Sequence, residues 1–420
     1  MTIGVIFFIL LFAGLPIALV LATSALVYIW LSGNFILFLS YPQQLFSGLE
    51  NYGLLAIPLF MLTGELMNKG GVTRRLVSMA SIFVGGFKGG LIYVNLVANT
   101  MMAAIIGSAA AQISVMSKVM VPEMEKRGYS KEFAAATTAA GGLLSPIIPP
   151  SMVFVIYGVI AQIAIGDLFI AGIVPGLILA VGFIVMITIL GLWNEYPRGE
   201  WPSVRESIKI TAAGLPAFSI PVVIIGGILL GIASPTESAA LATVTAFAVG
   251  RYIYKKLQFR DIPEILQRTA LNSALVIFLI AAANVFGWII IYEKVPQSIA
   301  VWLTELTSDP LLFLLTINLL LIGVGMIIDA IAAMIIIVPI LLPIATLHYG
   351  IDPIVFGVII CLNLVLGLLT PPVGAGLFII SAMAEVTIGA VFKAIYPFIL
   401  VTIVVLVLLT LQPWLITLLL

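Results

Sequence analysis

The stretch "GGLLSPIIPPSMVFVIYG", residues 141–158, sets three prolines and a glycine pair inside an otherwise apolar segment. A shorter version, "LGLLTPPVGAGLFII", occupies residues 366–380, with Gly367 lying 225 residues after Gly142. An interior proline removes a helix hydrogen bond and clashes with the preceding turn, at a cost of about 3 kcal/mol or more. Breaking a helix frees carbonyl oxygens at the C-terminal end of one half and N–H groups at the N-terminal end of the other. Carbonyls can coordinate a hard cation such as Na⁺, and half-helix N-termini favour an anionic group. Glycines 141, 142, 367, 374 and 376 let the backbone unwind without steric cost, and Ser145, Ser151 and Thr370 add hydroxyl oxygens beside the breaks. The plainer reading is a kink made for packing. Two breaks of one kind favour a two-part site.

The rest of the composition fits a membrane. The chain has 420 residues, 62% hydrophobic and 9% charged, against about 25% charged in a soluble domain. Its first residues lack a basic segment and form too long an apolar run for a secretory signal, so a retained first span is expected. The single cysteine, Cys361, excludes a disulfide framework and reads as a small buried hydrophobe. Zero net charge gives no hint of a nucleic-acid partner. No polar stretch is long enough for an attached soluble domain.

A helical span needs about 20 apolar residues. Candidate spans lie near residues 3–30, 52–67, 76–86 with 89–105, 168–192, 210–230, 236–250, 268–292, 311–328 and 388–418. Residues 107–126 and 330–347 read instead as re-entrant hairpins, each with two short apolar arms around a small or polar tip. Such pieces are tolerated only when buried in protein or lining a cavity. Residues 132–165 and 353–384 are broken spans carrying the opening motif.

These features repeat in order. Gly64 matches Gly287 and Asn95-Leu96 matches Asn318-Leu319, both at an offset of 223. Ser108 precedes Pro122 by 14 residues, as Asp329 precedes Pro343. "GLLSP" matches "GLLTP", and Val174-Pro175 matches Tyr396-Pro397. The chain therefore divides into an N-terminal scaffold arm (1–51), a first repeat (52–192), connecting scaffold spans (193–269) and a second repeat (270–420). Excess Lys and Arg marks cytoplasmic loops. The base of the first hairpin carries Lys126, Arg127 and Lys131, whereas that of the second, "ATLHYGIDP" (345–353), carries no Lys or Arg. The repeats thus read as inverted, with Lys88 in "GGFKGG" as an exception that falls outside. Inverted repeats with discontinuous helices are the architecture of secondary transporters, with sites near the midplane. The fold class is an all-α polytopic membrane protein with two re-entrant hairpins and two broken helices.

The hairpin tips supply further candidates. "IIGSAAAQIS" (105–114) presents Gly107 and Ser108, and "GMIIDAIAAM" (325–334) presents Asp329. An intramembrane carboxylate is costly unless paired or bound to an ion, and no Lys or Arg lies between Lys294 and Lys393. Asp329 therefore reads as a cation ligand, a half-helix cap, or both. In "GIASPTESAALAT" (231–243), Ser234 and Glu237 read as a helix start. Glu65 and Asn284 are candidates for the bundle interior. His348 has no companion histidine, which argues against a transition-metal site or a catalytic triad. An intramembrane hydrolase would need a second aspartate or a base beside a serine, so no enzyme activity is expected.

"GGLLSPIIPPS", "YGVIAQIAIGDLFIAGIVPG", "GIASPTESAALAT" and "GMIIDAIAAMIIIVPILLPIA" together resemble the large membrane subunit of tripartite ATP-independent periplasmic (TRAP) transporters. The resemblance covers nearly the whole chain. It implies the ion-transporter-superfamily fold and an elevator mechanism. It also implies Na⁺-driven import, across the bacterial inner membrane, of an organic acid delivered by a periplasmic substrate-binding protein. A small four-helix membrane subunit is implied as a separate polypeptide; no organic cofactor is. A first sodium site would use Gly107, Ser108, Gly142, Ser145 and Pro149, and a second Asp329, Ala330, Gly367, Thr370 and Val373. The substrate carboxylate would lie near Ser151, Asn363 and Gly374. Likeness to the sialic-acid branch puts sialic acid first and C4-dicarboxylates next. The runner-up is a self-sufficient divalent-anion/sodium symporter of the same fold.

Overall fold

Prolines, glycines and polar caps punctuate the chain into helices. The computed structural model describes residues 2–193 and 195–420, and their regular structure is helical apart from one isolated β-bridge. The N-terminal arm comprises α1 (Thr2–Phe12), α2 (Ile17–Ser32) and α3 (Leu37–Ser47). The first repeat contains α4 (Ala56–Lys69), α5 (Val72–Val84), α6 (Gly90–Ile106), α7 (Ala109–Lys126), α8 (Lys131–Gly142), α9 (Met152–Ala161) and α10 (Ile165–Trp193). Helices α11 (Val204–Leu229) and α12 (Pro235–Ala248) connect it to the second repeat. That repeat contains α13 (Ile262–Tyr292), α14 (Val295–Leu306), α15 (Pro310–Gly325), α16 (Ala330–Leu347), α17 (Pro353–Gly367), α18 (Ala375–Ala384) and α19 (Ile388–Leu411), followed by the short α20 (Trp414–Thr417). Helices α4 to α10 and α13 to α19 correspond one to one.

Three sequence expectations change. The single span over 3–30 is two helices: Gly14 takes φ 81° and Pro16 cannot extend α1, which packs against α2. The hairpins are longer than 107–126 and 330–347, because each of those segments contains one helix and no internal tip. In α7 the polar side chains turn inward or back onto the helix: Gln112 reaches Asn99, and Ser117 Oγ donates to Ser114 O. In α16, Pro339 and Pro343 are accommodated without ending the helix. The hairpin arms are therefore α6 with α7 and α15 with α16, and the turns fall at Gly107-Ser108 and Met326–Asp329. A tyrosine closes the second base: Tyr349 Oη donates to Thr307 O at 2.9 Å and stacks on Phe313, centroids 4.1 Å apart. At the first base the buried Tyr129 stacks on Tyr196.

The third change concerns the segment near 76–86. Helix α5 has 13 residues and reaches only about 20 Å, less than the roughly 30 Å hydrocarbon core. Both of its ends lie among basic residues: Arg74 and Arg75 at the start, and beyond the end Lys88, which bridges to Arg198. It stays on one side of the bundle. Lys88 lies beside Arg198, and with Arg74 and Arg75 at the start of α5 these cations form one basic face of the bundle.

The broken helices form the core. Residues 134–159 and 355–369 are all buried. Helix α9 packs on α16 and α17 of the other repeat, and α18 packs on α7 and α8. Tyr157 Oη, on α9, donates to Pro353 O at the start of α17, and Lys131 at the start of α8 pairs with Glu385 just beyond α18 at 3.7 Å. Each second half-helix thus ends where the other repeat's first half-helix begins, the antiparallel exchange that inverted repeats require. Ser234 and Glu237 form a reciprocal capping box on α12, which takes the helix-start reading. Asn284 Nδ2 donates to Gln44 O at 2.6 Å, tying α13 to α3.

Candidate functional site

Each hairpin tip docks on the break of its own repeat through backbone groups. In the first, the Met152 N–H, freed at the start of α9, donates to Gly107 O at 3.1 Å. Gly107 has φ 66°, and a Cβ there would lie 2.6 Å from Pro150 O, so both conformation and space require glycine. In the second, Val373 N–H and Gly374 N–H donate to Met326 O at 3.1 and 3.4 Å. A Cβ on Gly367 would run into the Gly325 backbone, so these glycines let tip and break touch. The bonds Pro149–Pro150 and Pro371–Pro372 are both cis.

Behind each tip the arms are pinned by buried amides. Asn95 Nδ2 donates to Thr138 Oγ1 at 2.8 Å, Asn99 Nδ2 to Asn95 Oδ1 at 2.8 Å, and Gln112 Nε2 to Asn99 Oδ1 and to Gly141 O. In the second repeat, Asn363 Nδ2 donates to Asn318 Oδ1 at 3.0 Å, and Asn318 Nδ2 to Thr410 Oγ1 at 2.9 Å. Asn95–Thr138 and Asn318–Asn363 are counterparts, each joining a hairpin arm to a first half-helix. Buried polar groups need such partners.

Both tips open onto one cavity of about 340 Å³. One side is formed by Gly107, Ser108 and Ala109, by Pro146 and Met152 of the first break, and by Asp329, Ala330 and Leu368 of the second repeat. The opposite side is formed by Gly64, Glu65 and Asn68 of α4 and by Thr269 and Asn272 of α13. Among the described residues no Lys, Arg or His lines it. Asp329 Oδ2 accepts the Ile331 N–H at 3.1 Å, so the carboxylate caps α16 while lying at the cavity. The cap reading therefore holds together with a cavity position. Glu65 is half-buried and in no ion pair among the described residues. Thr269 Oγ1 is buried without a hydrogen-bond partner.

Of the residues assigned to the implied ion and substrate sites, Gly107, Ser108, Asp329 and Ala330 line the cavity. Gly142 packs on Ile113 and lies near the Ala109 carbonyl, and Ser145 is buried beyond it with an unpartnered hydroxyl. Pro149 faces away, toward Phe169, Ile173 and Ile224. Gly367 meets Gly325, Thr370 Oγ1 donates back to Leu366 O, and Val373 bonds the tip through its backbone. Ser151 caps α9 by accepting the Phe154 N–H, Gly374 is the N-cap of α18, and Asn363 is held by Asn318. None of these three lines the cavity. Sequence reasoning missed Asn68, Thr269 and Asn272, which sit on α4 and α13 as isolated polar residues without a motif. It also missed Asn99 and Gln112, although Asn95 and Asn99 share one helix face at a spacing of four.

Opposed hairpins on broken helices, facing one cavity, are the arrangement of a secondary transporter. The chain belongs to the family of the DctM component of tripartite ATP-independent periplasmic transporters, whose profile matches residues 4–415. It is 36% identical over 404 residues to the sialic acid TRAP transporter large permease protein SiaM of Vibrio cholerae, covering 96% of this chain and 94% of that one. It is 37% identical to the C4-dicarboxylate TRAP transporter large permease protein DctM of Pseudomonas aeruginosa, over 88% of this chain and 86% of the relative. The isethionate TRAP transporter permease protein DctMQ of Oleidesulfovibrio alaskensis is 37% identical over 97% of this chain, which spans 64% of that longer protein. Among solved structures, the YdaH transporter of Alcanivorax borkumensis superposes with a TM-score of 0.68 over 91% of this chain and 89% of the other, at 16% identity. That likeness concerns the fold alone.

Proposed function

We propose that this chain is the large permease subunit through which an organic acid anion enters the cell, driven by a Na⁺ gradient. The solute is delivered by a periplasmic substrate-binding protein, and a small four-helix membrane subunit, made as a separate polypeptide, completes the complex in the bacterial inner membrane. The observation that carries this reading is the cavity shared by both tips, which presents the Asp329 carboxylate and no basic side chain. An anion entering such a space needs charge compensation from elsewhere, and co-bound cations supply it. Oxygens that suit Na⁺ lie where the two breaks meet the tips: the orphaned Ser145 hydroxyl near Gly142 in one repeat, and Asp329 in the other. Hard cations are held by such oxygen ligands.

The solute is a sialic acid in the first instance and a C4-dicarboxylate in the second, as the names of the SiaM and DctM relatives suggest. Both hairpins and both broken helices move as one body past α4 and α13, in an elevator stroke that carries the cavity across the membrane. Reconstitution with the small subunit tests the reading. Uptake of N-acetylneuraminate is expected only with the binding protein, an inward Na⁺ gradient and the anion together. Uptake that persists without Na⁺ would refute the coupling; uptake without the binding protein would favour a self-sufficient symporter.

A further inference from the structure

At the basic face, the α4–α5 turn meets the segment between α12 and α13. Residues 69–75 and 251–268 carry eight Lys and Arg and only two carboxylates, Asp261 and Glu264. Both carboxylates are occupied: Lys69 lies 3.6 Å from Asp261 and 3.8 Å from Glu264, and Arg268 lies 2.6 Å from Glu264. The remaining cations are in no ion pair among the described residues. The general excess of positive charge on cytoplasmic loops accounts for their side of the membrane but not for their arrangement.

The arrangement is fixed. A Cβ on Gly70 would lie 3.1 Å from Gly250 Cα, so the two backbones cross in contact. Arg75 Cζ lies over the Tyr254 ring, 3.5 Å from its centroid, and its Nη1 donates to Gly71 O at 2.8 Å. Arg251 lies 4.9 Å from the Phe259 ring centroid. A one-turn π-helix, Val249–Ile253, ends α12, and Lys255 just after it takes φ 53°, where a glycine would be at ease. Backbone strain of this kind persists only where the surroundings impose it. Lys256 packs beside Arg75 over Gly71. Among these cations, Tyr252 is 64% and Phe259 63% exposed. Exposed rings among unpaired cations match an interface where acyl chains meet headgroups.

We infer that the crossing of the α4–α5 turn and the α12–α13 segment is a binding site for an anionic phospholipid. Lys255, Lys256 and Arg251 would take the phosphate, while Tyr252 and Phe259 would lie along the chains. Because α4 and α13 also wall the cavity, a lipid held here would fix the part of the bundle against which the tips are set.

Native mass spectrometry of the purified full chain, offered phosphatidylglycerol or phosphatidylcholine, tests this. Preferential retention of phosphatidylglycerol is expected. The double variant Lys255→Gln/Lys256→Gln should weaken it by about fivefold per lysine, with an unchanged lipid-free unfolding temperature. Arg205→Gln/Lys209→Gln, which removes the same charge from the exposed start of α11, should leave retention as it was. Equal retention of the two lipids would overturn the inference, as would equal loss in both variants. Inorganic phosphate that displaces the lipid at equal concentration would also overturn it, making the site one for free anions.

Discussion

Asp329 is both a structural and an electrostatic residue, and the two roles separate by substitution. Its Oδ2 accepts the Ile331 N–H at 3.1 Å, a task asparagine performs about as well, whereas the negative charge is lost. Asp329→Asn is therefore expected to fold normally and to raise the Na⁺ concentration for half-maximal uptake at least about tenfold, the effect of a difference near 1.4 kcal/mol. An unchanged Na⁺ dependence would remove Asp329 from the cation site. Gly107 is constrained by backbone instead. Alanine there meets both the left-handed φ of 66° and the Pro150 carbonyl, and the conformation alone costs about 1–2 kcal/mol. Gly107→Ala should lower the unfolding temperature in detergent and abolish uptake, while Gly64→Ala, mid-helix where a Cβ meets nothing within 4 Å, should not lower the unfolding temperature.

Between elements, the buried amides decide what holds the hairpins. Asn363 joins α17 to α15 through Asn318 and does not line the cavity. Asn363→Ala should lower stability by about 1 kcal/mol, the scale of an interhelical hydrogen bond in a membrane, and leave the apparent affinity for solute unchanged. Loss of affinity without loss of stability would instead return Asn363 to the substrate site that the family resemblance implies. At this scale the sequence was legible wherever proline or glycine stops a helix: both breaks and both tips were readable from Pro146, Pro371, Gly107 and Asp329. Hairpin length was not readable, because α6 and α15 are apolar enough to pass for ordinary spans, and only packing against α7 and α16 reveals them as arms. Nor was the cavity's far side, since Asn68, Thr269 and Asn272 acquire meaning only when α4 and α13 come to face the tips.

For the whole molecule, the division into a carrying part and a fixed part is the central claim. The repeats exchange half-helices, α9 onto α16 and α17, α18 onto α7 and α8, so the tips and breaks are tied into one body. Inverted pseudo-symmetry was legible in the ordered matches from Gly64 to Tyr396, because the same chain positions must break and turn in both repeats. The surface along which such a body would slide was not, since it arises from contacts between distant segments. Cys361 is fully buried, so single cysteines can be introduced for labelling without replacing it. The most direct measurement is a pair of spin-label distances in proteoliposomes containing the small subunit, one from Asn272 on α13 to Ile331 beside the second tip, the other from Ser108 to Val153 across the first tip and break. With Na⁺ and solute varied, the first distance is expected to shift between two populations while the second stays constant. A constant first distance with a changing second one would mean that the tips open on a stationary core, and would contradict the division.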